Sequence, residues 1–166
     1  MKLHRRRTLI ATAAVGALIG AALIILPAQA TPPSGVTTTP IATGRFGAVD
    51  TQIKTGAWKA KLKTKGASDL HVLQNTIAPG GSFGWHSHPG PSLVTVKSGT
   101  ATFYLADDPT CSPHVVPAGL GFVDSGGDVH VVRNEGNVDL VTVVVSLVPA
   151  DATRRIDQPN PGNCPF

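Results

Sequence analysis

The sequence predicts an all-β protein, built as an antiparallel sandwich or barrel. Beyond the first 30 residues, no stretch of ten or more residues has the apolar spacing of an amphipathic helix. Short runs rich in Val, Thr, Leu and Ile recur instead, separated by Gly, Pro, Asn and Asp. Many short strands with regular turns are typical of sandwiches and barrels. Residues 31–166 are long enough to form one domain.

The first element is a predicted signal peptide over residues 1–30. Four basic residues within the first seven precede the uncharged stretch from Thr8 to Leu26, and Ala28-Gln29-Ala30 follows. A positive start, an apolar centre and a small-x-small site are the features of a secretory signal, with cleavage expected after Ala30. Arg6-Arg7 also resembles a twin-arginine signal. The protein is therefore expected to be secreted or extracytoplasmic, in the periplasm or cell envelope. The alternative is an uncleaved membrane anchor.

The charge balance follows from this segment. The chain carries 14 Lys and Arg against 10 Asp and Glu, and four of the basic residues but no acidic residue lie in the first 30. The remainder then holds 10 basic and 10 acidic residues and is neutral. A neutral domain lacks the basic surface that binds phosphates in bulk, so nucleic-acid binding is disfavoured.

The rest of the chain begins with a predicted flexible lead-in over residues 31–44, which contain three prolines. Residues 58–65 then alternate: Trp58 and Leu62 lie on one face and four lysines on the other. This pattern predicts an edge strand whose lysines protect it against aggregation. The alternative is a surface that contacts anions. The further predicted strands are Leu70–Ile77, Ser92–Lys97, Thr100–Leu105, Gly119–Asp124, Val129–Arg133 and Asp139–Val148. The last of these is nearly all apolar, which predicts a central strand.

Cys111 and Cys164 are the two cysteines, and both follow the predicted signal. An even number of cysteines in an oxidising compartment predicts a disulfide. The bond would fix the Pro-rich tail, residues 151–166, onto the loop after Leu105.

His86 and His88 are the first candidate metal ligands. Residues two apart on a strand point to the same side, so both imidazoles can reach one ion. The pair follows a Gly-rich bend and precedes Pro89-Gly90-Pro91. A His-x-His pair alone is equally compatible with ordinary packing.

Two spaced motifs give the pair its context. In the first, Gly80, His86, His88 and Gly99 occupy the positions of a pattern that places a glutamate where this chain has Ser92. In the second, Gly119, Gly127, His130 and Asn134 match, while Ser125 stands at a proline position. With these residues the chain resembles the cupin superfamily, and in particular small exported single-domain cupins.

The resemblance implies an antiparallel jelly-roll β-barrel over residues 45–150, with a divalent metal inside. His86, His88 and His130 become the metal ligands, and Gly99 and Asn134 become turn residues. Fe, Zn, Mn, Ni and Cu all suit such ligands. The resemblance also implies a homodimer. The alternative is a degenerate barrel that holds no metal.

The missing glutamate is the main departure from the family pattern. Glu135, the only glutamate, follows the turn residue Asn134 and is poorly placed to substitute. Ser92 and Gln74 are the candidate polar pocket residues. Without a carboxylate, three neutral imidazoles leave an ion its full +2 charge and make it a stronger Lewis acid.

Two functions fit this site. One is a metal-dependent oxygenase or isomerase acting on a small polar molecule. The other is a non-catalytic module that binds a metal or a small ligand. No general acid or base can be identified from the sequence, so the catalytic residues stay unknown.

Overall fold

The computed structural model describes residues 30–166, which form twelve strands and no α-helix. The strands are β1 (Ser34–Phe46), β2 (Asp50–Thr55), β3 (Trp58–Lys63), β4 (Ser68–Ser82), β5 (His86–Ser87), β6 (Ser92–Ser98), β7 (Thr100–Leu105), β8 (His114–Pro117), β9 (Gly121–Asp124), β10 (His130–Arg133), β11 (Leu140–Pro149) and β12 (Ile156–Asp157).

Ten of these strands form one nearly closed antiparallel barrel. One run of hydrogen-bonded neighbours is β1-β4-β11-β6-β9, and the other is β12-β5-β10-β7-β8. The two runs join where Ser82 of β4 pairs with Arg133 of β10. Neighbours distant in sequence, such as β4 and β11, are paired over ten residues. The predicted all-β jelly roll is confirmed.

Alternation of side chains explains how the barrel forms. Strand β11 alternates buried and half-buried residues along almost its whole length and lies between β4 and β6. The predicted central strand is therefore present. Every second side chain points inward, where Ile77, Val96 and Leu140 form the main apolar cluster with neighbouring strands. A second cluster contains Trp85 and Tyr104.

The prediction of a flexible lead-in over residues 31–44 is wrong. Strand β1 covers most of this segment and pairs with β4 from Ser34 to Phe46. The register shifts beside Pro40, and an edge strand tolerates proline at such irregular positions. The proline content suggested a linker. The prolines are compatible with a strand here because β1 is an edge strand, which has a partner on only one side.

The lysine-rich strand predicted over residues 58–65 forms as β3, and it pairs only with β2 in a separate two-stranded sheet. Both of its faces are exposed, and Trp58 keeps 61% of its surface accessible.

The predicted signal peptide lies outside the described residues, apart from Ala30. Within residues 30–166, no helix is long and apolar enough to cross a membrane.

The C-terminal tail is part of the fold. Cys111 and Cys164 form the predicted disulfide, 53 residues apart in sequence. Upstream of Cys164, strand β12 pairs with β5, so that Asp157 lies opposite His86. The tail thereby reaches the histidine pair that the motifs identified.

The motif residues Gly80, Gly99, Gly119 and Gly127 all have positive φ. At Gly99 a Cβ atom would lie 2.7 Å from the carbonyl oxygen of Asp139, so only glycine fits this turn. Asn134 is buried, and its amide group donates to the carbonyls of Ile77 and Val138, each at 2.8 Å. Asn134 therefore holds a turn together through its side-chain amide.

Candidate metal centre

Three histidines meet inside the barrel. His86 is on β5, His88 follows it, and His130 begins β10, where it pairs directly with His86. Their exposed fractions are 4%, 7% and 5%. One ring nitrogen of each lies within 4.8 Å of the other two, a grouping that could hold a metal ion. The structure thus brings together all three histidines that the motifs predict as ligands.

The Nδ1 atom of each histidine forms a hydrogen bond with a backbone carbonyl. His86 Nδ1 lies 2.8 Å from the oxygen of Gly84, and His130 Nδ1 lies 3.1 Å from that of Asp128. His88 Nδ1 lies 2.7 Å from the oxygen of Arg154. A carbonyl only accepts hydrogen bonds, so each Nδ1 carries the proton. In a neutral ring, Nε2 then has a free lone pair, which is the form that binds metals.

Burial favours the neutral form of the His86 and His88 rings. It lowers the pKa of His86 to about 2, and the nearby His130 and Arg155 act in the same direction. Burial also lowers the pKa of His88. Metal ligands must be deprotonated, so the environment favours the ligand form of both side chains.

A buried carboxylate lies beside two of these histidines. Asp124 ends β9 and is 9% exposed. Its Oδ1 accepts a hydrogen bond from the amide of Gly126 at 2.9 Å. Its Oδ2 is buried and has no hydrogen-bond partner among the described residues. That oxygen lies 3.4 Å from His88 Nε2 and 3.8 Å from His130 Nε2. The sequence did not place any acid securely beside the three histidines, and the structure places Asp124 beside two of them.

Strand pairing explains where this carboxylate comes from. Ser92 stands at the glutamate position of the first motif, and Asp124 lies directly opposite it across the β6–β9 pair. The Ser92 hydroxyl is 2.8 Å from that of Ser146 on the other neighbouring strand. The sequence reasoning missed Asp124 because the register between two strands far apart in sequence is not visible in either strand. Its place just before Ser125 in the second motif was the one available signal.

A cavity of about 50 Å³ adjoins the histidines. Ser92 lines it, as predicted for a pocket residue, together with Asp124, Asn75 and the three histidines. Gln74 does not: its side chain faces outward and accepts a hydrogen bond from Lys97 at 3.4 Å. The prediction for Gln74 is wrong by one position, because successive side chains on a strand point to opposite faces. Asn75 is the inward polar residue of β4.

The tail supplies two further cavity residues that the sequence reasoning did not identify. Arg154 and Arg155 precede β12 and line the cavity. Their signal was weak, because an arginine pair in a Pro-rich tail is usually solvated. Pairing of β12 with β5 carries them to the site.

Residues 74–146 match the family model described as Cupin domain. The chain therefore contains a cupin domain over these residues. The match contains both motifs and all three histidines, and the barrel agrees with the fold that the resemblance implied.

Several solved cupin structures are similar to this chain. A cupin-like protein from Thermotoga maritima is 20% identical, with a TM-score of 0.48 over 55% of this chain and 65% of its own. A cupin superfamily protein from Desulfitobacterium hafniense is 12% identical, with a TM-score of 0.47 over 72% of this chain and 83% of its own. An oxalate oxidase is 24% identical, with a TM-score of 0.41 over 49% of this chain and 46% of its own. No functionally curated protein matches the chain.

Proposed function

We propose that this cupin binds one divalent metal ion through His86, His88, His130 and Asp124. One observation carries the proposal: the buried Oδ2 of Asp124, without a partner among the described residues, faces two histidine nitrogens that bear lone pairs. This oxygen and the two nitrogen lone pairs repel one another unless a cation lies between them. A buried carboxylate without a partner is costly to fold, and a metal ion is the missing partner.

The distances support a shared ion. Ligand atoms bound at about 2.1 Å in tetrahedral geometry are separated by roughly 3.4 Å. Asp124 Oδ2 and His88 Nε2 are 3.4 Å apart, and the histidine nitrogens lie within 4.8 Å of one another. Three imidazoles and one carboxylate suit Fe(II), Zn, Mn, Ni and Cu, and do not choose among them.

Asp124 changes the expected electrostatics of the site. A divalent ion held by three neutral imidazoles keeps a charge of +2, and one carboxylate reduces it to +1. When bound, such an ion polarises a coordinated oxygen and lowers the pKa of coordinated water. The chain's own contribution is orientation, because the carbonyls of Gly84, Asp128 and Arg154 fix the three rings.

The catalytic form of the hypothesis is a metal-dependent oxygenase or isomerase acting on a small polar molecule. The adjoining cavity supports it, since a ligand can lie next to the ion. The non-catalytic alternative is supported by the lining of the cavity, where Asp124 is the only acidic residue among those described. Incubation of the Fe(II)-loaded protein with a panel of thiols, diketones and phenols separates the two: oxygen consumption detects an oxygenase, and conversion of a compound without oxygen consumption detects an isomerase. No turnover of any compound favours the binding module.

We also propose that the protein is located outside the cytoplasm. The signal-like residues 1–30 and the Cys111–Cys164 disulfide support this location. N-terminal sequencing of the secreted protein tests it, with Thr31 as the expected first residue.

Metal analysis of the purified protein tests the central proposal. We expect one zinc ion per chain after reconstitution with Zn²⁺ and removal of the excess, and loss of that ion in His130→Ala. His114→Ala is the matched control, because His114 is an exposed histidine stacked on Phe103. A zinc content that His130→Ala leaves unchanged would contradict the proposal, as would no zinc in the wild-type protein.

A further inference from the structure

The two tail arginines form a positively charged side of the cavity. Nε of Arg155 donates to Asp157 at 2.7 Å, and its Nη2 donates to the carbonyl of Phe83 at 2.6 Å. Its Nη1 is buried and has no hydrogen-bond partner within residues 30–166. One edge of the guanidinium is therefore held in place while another donor stays free.

Arg154 adds a second positive charge to this side of the cavity. No carboxylate of the described chain lies within salt-bridge distance of its guanidinium, whereas the side chain of Arg155 does have Asp157. Burial and the neighbouring charge of Arg155 lower the pKa of Arg154. Holding two adjacent guanidinium groups at a partly buried site is unfavourable unless an anion joins them.

The arginines lie next to the metal centre. Arg155 and His86 line the same cavity. Phe83 is a neighbour of both residues: its ring centroid is 5.8 Å from that of His86 and 6.0 Å from the guanidinium carbon of Arg155. An anion in the cavity could therefore contact both the metal centre and the free Arg155 donor.

We propose that this cavity binds a small carboxylate, which Arg155 holds through its free Nη1 and Arg154 stabilises by charge. The carboxylate contact with the ion rests on the proposed metal centre, whereas the arginine contact does not. An arginine N–H group donates a strong, charge-assisted hydrogen bond to a carboxylate. The size of the cavity limits the ligand: about 50 Å³ holds roughly four water-sized groups, since one such group needs ~10–15 Å³. A carboxylate of one or two carbons fits this space.

Isothermal titration of the zinc-loaded protein with sodium acetate tests the proposal, with acetamide as the neutral ligand of the same shape. We expect acetate to bind and acetamide to bind far more weakly. Arg155→Gln should weaken acetate binding roughly 10- to 100-fold and leave the zinc content unchanged. Arg133→Gln is the matched control, because it removes one arginine of β10 outside the cavity.

Arg155→Lys is the control for a folding defect in Arg155→Gln. Lysine keeps the positive charge without the planar fork, so acetate binding should fall by less than in Arg155→Gln. Equal acetate affinity in the wild-type protein, Arg155→Gln and Arg155→Lys would overturn the proposal, as would acetamide binding as tight as acetate binding. No acetate binding by zinc-loaded wild-type protein would overturn it as well.

Titration of the metal-free protein separates this proposal from the metal centre. If the chain fails to retain zinc but the metal-free protein binds acetate and loses it in Arg155→Gln, the metal proposal is wrong and the carboxylate site is retained. If zinc is retained and acetate does not bind, only the carboxylate site is wrong. If neither zinc nor acetate binds, both are wrong.

Discussion

Replacing Asp124 by Asn should change the stability of the metal-free protein and its metal affinity in opposite directions. Asn keeps the Oδ1 acceptor for the amide of Gly126 and exchanges the buried, unpartnered Oδ2 for an N–H₂ donor. That donor would lie near the lone pair of His88 Nε2, 3.4 Å from the present oxygen. A buried polar group without a partner costs about 1–3 kcal/mol, so Asp124→Asn should stabilise the metal-free protein by that amount.

The same substitution should weaken metal binding about 100-fold or more. Changes to groups that only support a metal ligand cost about 10- to 100-fold in affinity, so the loss of a ligand lies at or beyond the upper end. A metal concentration of 1,000 times the wild-type Kd stabilises the wild-type protein by about 4.1 kcal/mol. A 100-fold weaker variant gains only about 1.4 kcal/mol at that concentration.

Thermal unfolding with EDTA and with excess Zn²⁺ measures both effects in one assay. We expect Asp124→Asn to have the higher Tm in EDTA and the smaller rise in Tm on addition of zinc. Asp128→Asn is the control, because Asp128 lies four residues further on and its side chain is exposed. The role given to Asp124 is refuted if the zinc-induced rise in Asp124→Asn equals that of the wild-type protein.

Two further outcomes are expected. Replacing both Cys111 and Cys164 by Ser opens a closure of 53 residues, which should lower the free energy of unfolding by about 4 kcal/mol in denaturant titrations; no change in the midpoint would contradict this. Acid should also destabilise the protein through Asp69, because the Arg45 guanidinium, bonded to both carboxylate oxygens at 2.8 Å, holds the pKa of Asp69 well below its usual range. A depressed pKa stabilises the fold above the unfolded-state value of about 3.9 and loses that contribution as the pH falls below it. Asp69→Asn should therefore lower Tm at pH 7 and flatten the fall of Tm below about pH 4; parallel Tm profiles for the variant and the wild-type protein would count against this account.

Local patterns in the sequence predicted most of the barrel strands. Strand β11 was predictable because its ten residues are almost all apolar and long enough to cross the core. Strand β1 was not, because prolines and small polar residues favour a linker unless a partner strand is present. That partner, β4, begins more than twenty residues further along the chain, so its effect is invisible locally.

The candidate site divides in the same way. The three histidines occupy fixed positions in local motifs, and the sequence therefore placed all of them. Asp124 and Arg155 reach the site through pairings of β9 with β6 and of β12 with β5. Gln74 and Asn75 differ only in which face of β4 they occupy, and a one-residue error in parity exchanges inside for outside.

The proposed metal centre explains the missing motif glutamate as a carboxylate moved to the adjacent strand. Because Ser92 and Asp124 are directly paired, either position can place a side chain beside the histidines. A double variant, Asp124→Ser with Ser92→Glu, returns the carboxylate to the motif position and leaves the charge of the site unchanged. We expect Asp124→Ser alone to lose zinc and the double variant to recover at least part of the affinity, measured by competition with a chromogenic chelator. If both variants fold and the double variant binds zinc no better than Asp124→Ser, the carboxylate of Asp124 is not interchangeable with one at position 92, and strand pairing does not account for the departure from the family pattern.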